Sequence, residues 1–259
     1  MGKTLAIANQ KGGVGKTTTT INLAACLAAL QLRTLVVDLD PQGNASSGLG
    51  VIRDDIQRSV YDVLAGSVEA RDAIIETEIG NLSLLPSRTE LAAAELELVT
   101  VEERREFFLK DALADIRDDY DYILIDCPPS LSLLTINALV AADAVLIPVQ
   151  AEYYALEGLA RLRDTIARVK QSLNASLAVE GLVLTMHDNR NNLARQVEED
   201  VRAHFGDAVY QTVIPRNVRL SEAPSFGQPI ITYDVTSRGA RAYLDLAREF
   251  VQRNDVVSS

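Results

Sequence analysis

The stretch Gln10-Lys11-Gly12-Gly13-Val14-Gly15-Lys16-Thr17-Thr18 decides the fold of the chain. It stands between a short apolar run and a helical pattern, which is the strand, glycine-rich loop, helix order of a phosphate-binding P-loop. Glycines let successive backbone N–H groups point into one concavity, and a helix N-terminus attracts the same phosphate oxygens. We therefore expect Lys16 to reach the β- and γ-phosphates and the Thr17 hydroxyl to ligate Mg²⁺. The alternative, a tight glycine turn with an exposed lysine, is disfavoured by Gly-Lys-Thr-Thr in this context.

The loop departs from the standard pattern at its first position. The pattern G-x-x-x-x-G-K-[ST] puts glycine at position 10, where this chain has Gln10, and a second lysine, Lys11, follows it. Lys11 is too far from Lys16 along the loop to do the same work. It either lies in solvent or points at a phosphate across an interface, and spacing leaves both possibilities open.

Composition describes a globular chain with an acidic surface. Of 259 residues, 47% are hydrophobic and 24% are charged, and the formal net charge is −11. That charge disfavours broad electrostatic attraction to DNA or to anionic lipid, so any nucleic-acid contact must use a local patch. The two cysteines, Cys26 and Cys127, lie far apart without a Cys-x-x-Cys pair, which indicates a reducing cytoplasm and excludes a disulfide framework. No apolar run approaches the roughly 18 residues that span a bilayer.

Short apolar runs alternate with longer helical patterns along nearly the whole chain. This alternation predicts an α/β fold, in which one mostly parallel twisted β-sheet carries helices on both faces. The predicted strands are Thr4–Asn9, Thr34–Asp38, Leu82–Pro86, Tyr122–Asp126, Ala144–Val149, Gly181–Met186 and Gln211–Ile214. The predicted helices are Thr17–Leu30, Val60–Leu64, Ala70–Ile75, Glu90–Leu98 and Asn192–Phe205. We expect a single domain over residues 1–259, with residues 254–259 as a frayed tail.

Carboxylates follow two of the predicted strands. Asp126 ends a hydrophobic run and precedes Cys127-Pro-Pro129, so it stands at the Walker B position, where a carboxylate holds the Mg²⁺ shell directly or through water. Asp38 and Asp40 end the second strand, and the Pro41–Asn44 segment after them is a loop that can change shape. Asp38 is equally compatible with a functional role and with a local structural one.

The run Lys11-Gly-Gly-Val-Gly-Lys-Thr-Thr18 resembles the deviant Walker A loop of the ParA/MinD superfamily. The resemblance covers nearly the whole chain, through Asp38–Asn44, Ile125–Ser130, Ile147–Gln150, Tyr153–Gly158 and Val213–Pro224. It is closest to the short, chromosomally encoded ParA proteins often called Soj. The loop starts at residue 10, which leaves no room for the N-terminal DNA-binding extension of some plasmid forms.

The resemblance implies an ATPase with ATP and Mg²⁺ as cofactors. It implies that Asp40 orients the attacking water, that Lys11 crosses a dimer interface to touch the partner's nucleotide, and that Pro215 and Asn217 line the adenine. The implied catalytic residues are Lys11, Lys16 and Asp40. The implied nucleotide contacts are Lys11, Gly12, Gly13, Val14, Gly15, Lys16, Thr17, Thr18, Pro215 and Asn217. Thr17 and, through water, Asp126 hold the metal.

The function implied by the resemblance is DNA partitioning. An ATP-bound homodimer would coat the nucleoid through non-specific double-stranded DNA contacts, and a ParB-type centromere-binding protein would stimulate its hydrolysis. Because the chain offers a water-positioning aspartate and only two histidines, His187 and His204, we expect slow intrinsic hydrolysis. A role in regulating replication initiation is a related use of the same switch.

The DNA contact must come from a local basic patch. The stretch from Ala208 to Arg241 contains four arginines and two acidic residues, so its net charge is +2 in an otherwise acidic chain. In the resembling family the positions matching Arg190 and Arg219 lie on the DNA-facing surface. The DNA-binding candidates are Arg190, Arg195, Arg216 and Arg219. The alternative is that these arginines cap helices or pair with Glu222.

Two other functional classes share the loop. A MinD-type membrane-cycling ATPase ends in a basic amphipathic helix, whereas the Tyr243–Val251 segment mixes Asp245 and Glu249 with its arginines, which disfavours binding to anionic lipid. We therefore expect no membrane partner. Relatives of the nitrogenase iron protein need two cysteine ligands per chain, and Cys26, on the first helix, is a poor candidate. Amidoligases with the same loop belong to this third class.

Overall fold

A seven-stranded sheet runs through the centre of the protein. The structure is a computed structural model, and it describes residues 2–101, 103–152, 155–188 and 190–257. The strands are β1 (Lys3–Ile7), β2 (Thr34–Asp38), β3 (Ile75–Glu76), β4 (Leu82–Leu85), β5 (Tyr122–Asp126), β6 (Ala144–Gln150) and β7 (Ala178–Thr185). Their order across the sheet is β3-β4-β2-β5-β1-β6-β7, and all neighbours are parallel except β3 and β4. The mostly parallel α/β fold expected from the sequence is confirmed.

Helices connect the strands and cover both faces of the sheet. They are α1 (Lys16–Ala29), α2 (Asn44–Gly48), α3 (Val60–Leu64), α4 (Ala70–Ala73), α5 (Leu91–Thr100), α6 (Phe108–Leu113), α7 (Leu133–Ala141), α8 (Ala155–Ser172), α9 (Asn192–Phe205), α10 (Val218–Glu222), α11 (Ile230–Tyr233) and α12 (Arg238–Val257). None of the helices in the described ranges is long and apolar enough to cross a bilayer.

Alternate residues of the central strands enter two separate cores. Ile123 and Ile125 of β5 belong to the core on one face, and Leu124 between them belongs to the core on the other face, beneath α1 and α12. All five residues of β5 are buried, which explains why its sequence is a continuous apolar run ending in a carboxylate. On α12, Tyr243 and Phe250 are fully buried in the second core.

The Gln211–Ile214 segment is not a strand, although its sequence predicts one. It runs beside β7, where Ile214 donates its N–H to the Leu184 carbonyl at 2.8 Å. The β-bridges of this region are isolated and lie just outside the segment, between Leu182 and Val209 and between His187 and Pro215. The backbone N–H groups of Gln211 and Thr212 donate to the Glu249 carboxylate of α12, each at 2.8 Å, in place of a strand partner.

Other boundaries also differ from the predicted ones. The helix expected over Ala70–Ile75 ends at Ala73, because Ile75 and Glu76 pair antiparallel with β4 as an edge strand. The last helix continues to Val257, past the position where we expect the chain to fray, and Asn254 Nδ2 donates to the Phe250 carbonyl at 2.7 Å. Tyr153 and Tyr154 of the resembling motif lie outside the described residues.

Candidate nucleotide-binding site

The candidate site lies where three central strands end. Ile7 of β1 and Asp38 of β2 are both register partners of Asp126 on β5, so these three positions meet at one edge of the sheet. The loop that follows β1 returns to this edge before it enters α1. Ligands of open α/β sheets bind in the crevice outside the carboxyl ends of the strands, which is the position of this loop.

The glycine-rich loop is held in shape by its surroundings. Gly13 and Gly15 have φ values of 75° and 87°, a left-handed conformation that favours glycine. The carbonyl of the buried Val14 accepts a hydrogen bond from Thr185 Oγ1 at 2.8 Å, which attaches the loop to the end of β7. Asn9 donates to the Pro148 carbonyl at 2.8 Å and accepts from the Lys11 N–H at 3.0 Å. These contacts hold the loop in one conformation.

Lys16 begins α1 and turns back over the loop. Its ammonium is buried and donates to the Lys11 carbonyl at 3.3 Å. Burial lowers the pKa of Lys16, while the charges of Asp126 and Asp40 act in the opposite direction. An ammonium with so little solvent and one neutral acceptor would be strongly stabilised by phosphate oxygens.

Asp126 and two threonines form a set of oxygen ligands beneath the loop. Thr17 Oγ1 donates to Asp126 Oδ2 at 2.8 Å, and Thr20 Oγ1 lies 3.0 Å from Asp126 Oδ1. Burial, and then the neighbouring charge of Asp38, raise the pKa of Asp126. A cation at this carboxylate would offset both effects. Hydroxyl and carboxylate oxygens are ligands that Mg²⁺ prefers, so Thr17 and Asp126 fit the predicted metal.

Asp38 folds the loop that carries Asp40. It is fully buried; its Oδ1 accepts from the Asp40 N–H at 3.2 Å, and its Oδ2 accepts from both the N–H and the hydroxyl of Ser46, each at 2.7 Å. The Ser46 hydroxyl in turn accepts from the Ser87 N–H at 3.0 Å. Asp38 thus fixes both ends of the Asp40–Ser46 segment, which supports the structural alternative for this residue.

Asp40 itself lies at the mouth of the site. Its side chain is nearly buried, and its Oδ1 accepts from the Gln42 N–H at 3.0 Å. The negative charge of Asp40 acts to raise the pKa of the Lys16 ammonium, against the larger effect of burial. Its role as the group that orients water stays a prediction.

Lys11 points away from Lys16. Its Nζ forms an ion pair with Glu152 Oε2 at 2.5 Å, and both side chains are substantially exposed. Glu152 also accepts from Gln150 Nε2 at 2.5 Å. Of the two possibilities left open by spacing, the isolated chain shows the solvent-facing one, with an acidic partner.

A cavity of about 350 Å³ opens beside the loop. Gly15 and Thr18 form one wall, and Pro215 and Asn217, the residues predicted to line the base, form another. Asn217 also caps α10, because its Oδ1 accepts from the Arg219 N–H at 2.8 Å. Gly12 lies outside this cavity, and a Cβ placed on it would meet nothing within 4 Å.

The four DNA-binding candidates lie in two segments. Arg190 and Arg195 lie in the loop after β7 and in α9, and Arg216 and Arg219 lie just before and in α10. Arg190 is highly exposed and makes two 3.0 Å hydrogen bonds to Asp188, and the pKa of Asp188 falls to about 2, mainly through these bonds. Arg219 pairs with Glu222 at 2.9 Å, as the structural alternative expects. Arg195 donates to a neighbouring asparagine side chain. Arg216 lines the nucleotide cavity.

Three residues of the site were not singled out in the sequence. Thr20 lies three positions after Thr17, so helical spacing alone would have placed a second hydroxyl on the same face. Ser46 and Glu152 carry no comparable signal, because no helical or strand spacing links Ser46 to Asp38, eight residues away, or Glu152 to Lys11, 141 residues away.

Comparisons with known proteins agree with this geometry. A family model described as an AAA domain matches residues 2–179. The chain is 59% identical over 249 residues to the sporulation initiation inhibitor protein Soj of Bacillus subtilis, covering 96% of this chain and 98% of that protein. It is 55% identical over 254 residues to the chromosome partitioning protein ParA of Myxococcus xanthus, covering 98% and 89%.

Among solved structures, cobyrinic acid a,c-diamide synthase from Mycobacterium smegmatis, with bound ADP and magnesium, superimposes with a TM-score of 0.83 at 40% identity, covering 96% of this chain and 93% of that one. The synthase name belongs to that protein, and the sequence relatives at 55–59% identity include partitioning proteins. The P-loop at the carboxyl end of β1, the buried Asp126 beneath it and the near full-length similarity together show that this chain belongs to the ParA/Soj family of P-loop ATPases.

Proposed function

We propose that this protein is an ATP-dependent dimerising switch that binds DNA non-specifically and acts in chromosome or plasmid partitioning with a ParB-type partner. The observation that carries the proposal is the difference in environment between two lysines in one loop. Lys16 is buried over the loop, and Lys11 is exposed on its outer side. An exposed lysine beside a phosphate site can reach a second nucleotide only in another protomer.

ATP with Mg²⁺ is the nucleotide that we assign to the site. The loop and Lys16 offer contacts for the phosphates, and the 350 Å³ cavity, which Gly15 of the same loop lines, offers space for the base. Thr17 and Asp126 would hold Mg²⁺, which would neutralise charge on the β- and γ-phosphates. The similar protein from M. smegmatis has been solved with ADP and magnesium, which supports this choice.

Hydrolysis is assigned to Asp40 and is expected to be slow. Asp40 acts electrostatically on Lys16 and accepts a hydrogen bond from Gln42 within its own loop, whereas both oxygens of Asp38 are used to hold that loop in place. A single carboxylate that orients water provides less acceleration than a strong general base. Stimulation by the partner would then act by improving the position of Asp40 or of the water.

We assign DNA binding to the arginines that lie after β7 and around the start of α10. Contacts from Arg190 and Arg219 would go to phosphates and carry no sequence information. Both side chains have acidic partners in the free chain, so DNA must compete with Asp188 and Glu222 for them. Because each protomer supplies few contacts, ATP-driven dimerisation would itself raise the affinity for DNA.

A membrane-cycling role of the MinD type has less support. The apolar side of α12, including Tyr243, Leu246 and Phe250, is buried against the sheet and is not available to a lipid surface. The relatives at high identity include proteins named for chromosome partitioning, which favours the partitioning role.

The test is to measure the size of the protein and its binding to long duplex DNA with ATP, with ADP and without nucleotide. The proposal expects a dimer and DNA binding only with ATP. A protein that dimerises with ATP but binds anionic liposomes and not DNA would support the membrane-cycling alternative and contradict the proposal.

A further inference from the structure

Two cavities lie side by side outside the nucleotide site, over the core on the face of the sheet opposite α1 and α12. The first cavity measures about 320 Å³ and lies between α3, α5 and the start of α6. The second measures about 280 Å³ and lies between α3, α4 and α6. The partly buried ring of Phe108 lines both cavities, so they form one groove, which we name the acidic groove.

The first cavity of the acidic groove is mainly apolar. Leu64 of α3 and Leu98 of α5 belong to the core beneath it, and the exposed residues Ala65 and Thr100 stand at its rim. An apolar side chain of a ligand would leave water by entering this cavity and would contact side chains that are already packed in place.

The second cavity presents carboxylates to solvent. Glu69 and Asp115 both line it, both are exposed, and neither has an ion pair among the residues that the structure describes. Arg71, which also lines the cavity, is paired with Asp119 at 2.7 Å. A cationic ligand can therefore reach Glu69 and Asp115 without displacing an ion pair.

The segments that build the acidic groove carry most of the negative charge of the chain. Residues 60–72 and 90–115 contain eleven acidic and four basic residues, a net charge of −7 out of −11 for the whole chain. This charge repels DNA, anionic lipid and the same face of a second copy of the chain. A ligand that carries basic groups is the one that this charge attracts.

The helices that frame the groove are connected to the loop of Asp40. Val60, the first residue of α3, donates its N–H to the Pro86 carbonyl at 2.8 Å. The next residue, Ser87, donates its N–H to the Ser46 hydroxyl at 3.0 Å, and α5 begins four residues later. Because Ser46 belongs to the buried network that holds the Asp40 loop, a ligand that moves α3 or α5 acts on that loop.

We propose that the acidic groove is the docking site of the partner protein that stimulates ATP hydrolysis. A segment of the partner places an apolar side chain in the first cavity and basic side chains against Glu69 and Asp115. A protein segment is the occupant because it carries apolar and cationic side chains a few residues apart, as the two cavities require. The inference rests on the proposed function and gives its partner-stimulated hydrolysis a place on this chain.

The charge test measures ATP hydrolysis at increasing concentrations of a ParB-type protein from the same organism, with DNA present. Glu69→Lys and Asp115→Lys are each expected to raise the concentration for half-maximal stimulation about threefold, and together about tenfold, because attraction becomes repulsion. The maximal stimulated rate should not change. The matched control is Glu78→Lys, at an exposed acid between β3 and β4, which should give the wild-type curve.

The cavity test uses Ala65→Trp, which puts a large side chain at the rim of the first cavity and should abolish stimulation. Its control is Ala92→Trp, at an exposed alanine of α5 that does not line the cavity. Both variants should keep the intrinsic hydrolysis rate and the ATP-dependent dimer of the wild type.

Three results would decide against the groove or against the function. Wild-type stimulation of Ala65→Trp and of the Glu69→Lys/Asp115→Lys double variant would overturn the inference, and so would equal losses in the controls. If the wild-type protein is not stimulated by the ParB-type protein, the proposed function itself fails at its partner. If Ala65→Trp does not fold, the double variant decides alone.

Discussion

Lys16 and Asp126 are charged groups that lie in a place where water cannot solvate them well. The pKa of the ammonium is lowered and that of the carboxylate is raised, in both cases mainly by burial. In the free chain each therefore carries an electrostatic cost that a phosphate or a cation relieves. Lys16 and Asp126 are therefore the residues at which a phosphate and a cation would relieve the largest cost of burial.

Lys16→Ala is expected to weaken ATP binding strongly. The phosphates lose their charge-assisted partner, which is worth about 1.5–3 kcal/mol, or at least tenfold in affinity. Titration calorimetry with ATP and Mg²⁺ measures the change, with Lys110→Ala, an exposed lysine of α6, as the control. Unchanged affinity in Lys16→Ala would contradict the P-loop assignment.

Asp40→Ala is expected to bind ATP and accumulate as a dimer while hydrolysing ATP very slowly. The orienting carboxylate is lost, but the phosphate contacts of Lys16 and the loop remain. Phosphate release and size-exclusion chromatography with ATP provide the two measurements, with Asp55→Ala, an exposed acid, as the control. A variant that binds ATP normally and stays monomeric would be evidence against the assignment.

At the scale of elements, the short helix α2 is tied to the sheet through Ser46, whose N–H and hydroxyl both donate to Asp38. Ser46 donates to Asp38 and accepts from Ser87, and all three residues are buried. Ser46→Ala should lower the free energy of unfolding by about 1–3 kcal/mol, because two buried polar groups lose a partner. It should also slow ATP hydrolysis, since Asp38, to which Ser46 donates, also accepts the N–H of Asp40.

Urea denaturation of Ser46→Ala and Ser47→Ala measures this effect. Ser47 is the neighbouring, exposed serine of α2, and its hydroxyl bonds only to backbone carbonyls of the same turn. Its substitution should change stability by a few tenths of a kcal/mol. Equal losses in the two variants would show that the buried network adds nothing specific.

The outer side of the P-loop is open in the free chain. Gly12 has no neighbour within 4 Å of an added Cβ and no left-handed φ, so Gly12→Val is expected to fold and bind ATP but to fail to dimerise. Size exclusion with ATP is the measurement. Gly80→Val, at a glycine with equally open surroundings and near the β3–β4 edge, is the control. Normal dimerisation of Gly12→Val would mean that protomers do not meet at this loop.

The sequence predicts the elements that depend on local pattern and misses those that depend on partners. Continuous apolar runs correctly placed β2 and β5, because strands covered on both faces need no alternation. The Gln211–Ile214 run has the same β-branched character, yet Glu249 accepts its first two N–H groups and isolated bridges form only on either side of the run. The sequence of the run does not indicate that Glu249, 37 residues after Thr212, will accept one of its backbone N–H groups.

The candidate site shows the same difference between features set by local sequence pattern and features set by partners elsewhere in the chain. Lys16, Thr17 and Asp126 come together as their spacing around strands and helix predicts. The pairing of Lys11 with Glu152 and of Asp38 with Ser46 is invisible in sequence, because contacts between loops depend on how the sheet brings strand ends together.

At the scale of the whole molecule, an acidic chain with net charge −11 is expected to hold DNA through a small set of arginines. Arg190→Ala and Arg219→Ala should each weaken DNA binding and lower the salt slope by about 1.8, because a dimer loses two contacts. Filter binding at several salt concentrations, on dimers confirmed with ATP, is the measurement. Full affinity in the double variant would put the DNA surface elsewhere.

The position of β1 in the sheet has a consequence for synthesis on the ribosome. β1 comprises residues 3–7, but its neighbours are residues 122–126 and 144–146, and the loop after it is anchored by Thr185. At about 5–20 residues per second, about 7 to 28 seconds separate the appearance of β1 from that of its last strand partner. The nascent chain must keep its first strand unpaired during this time. The loop that receives ATP is therefore among the first segments to be synthesised and among the last to be completed.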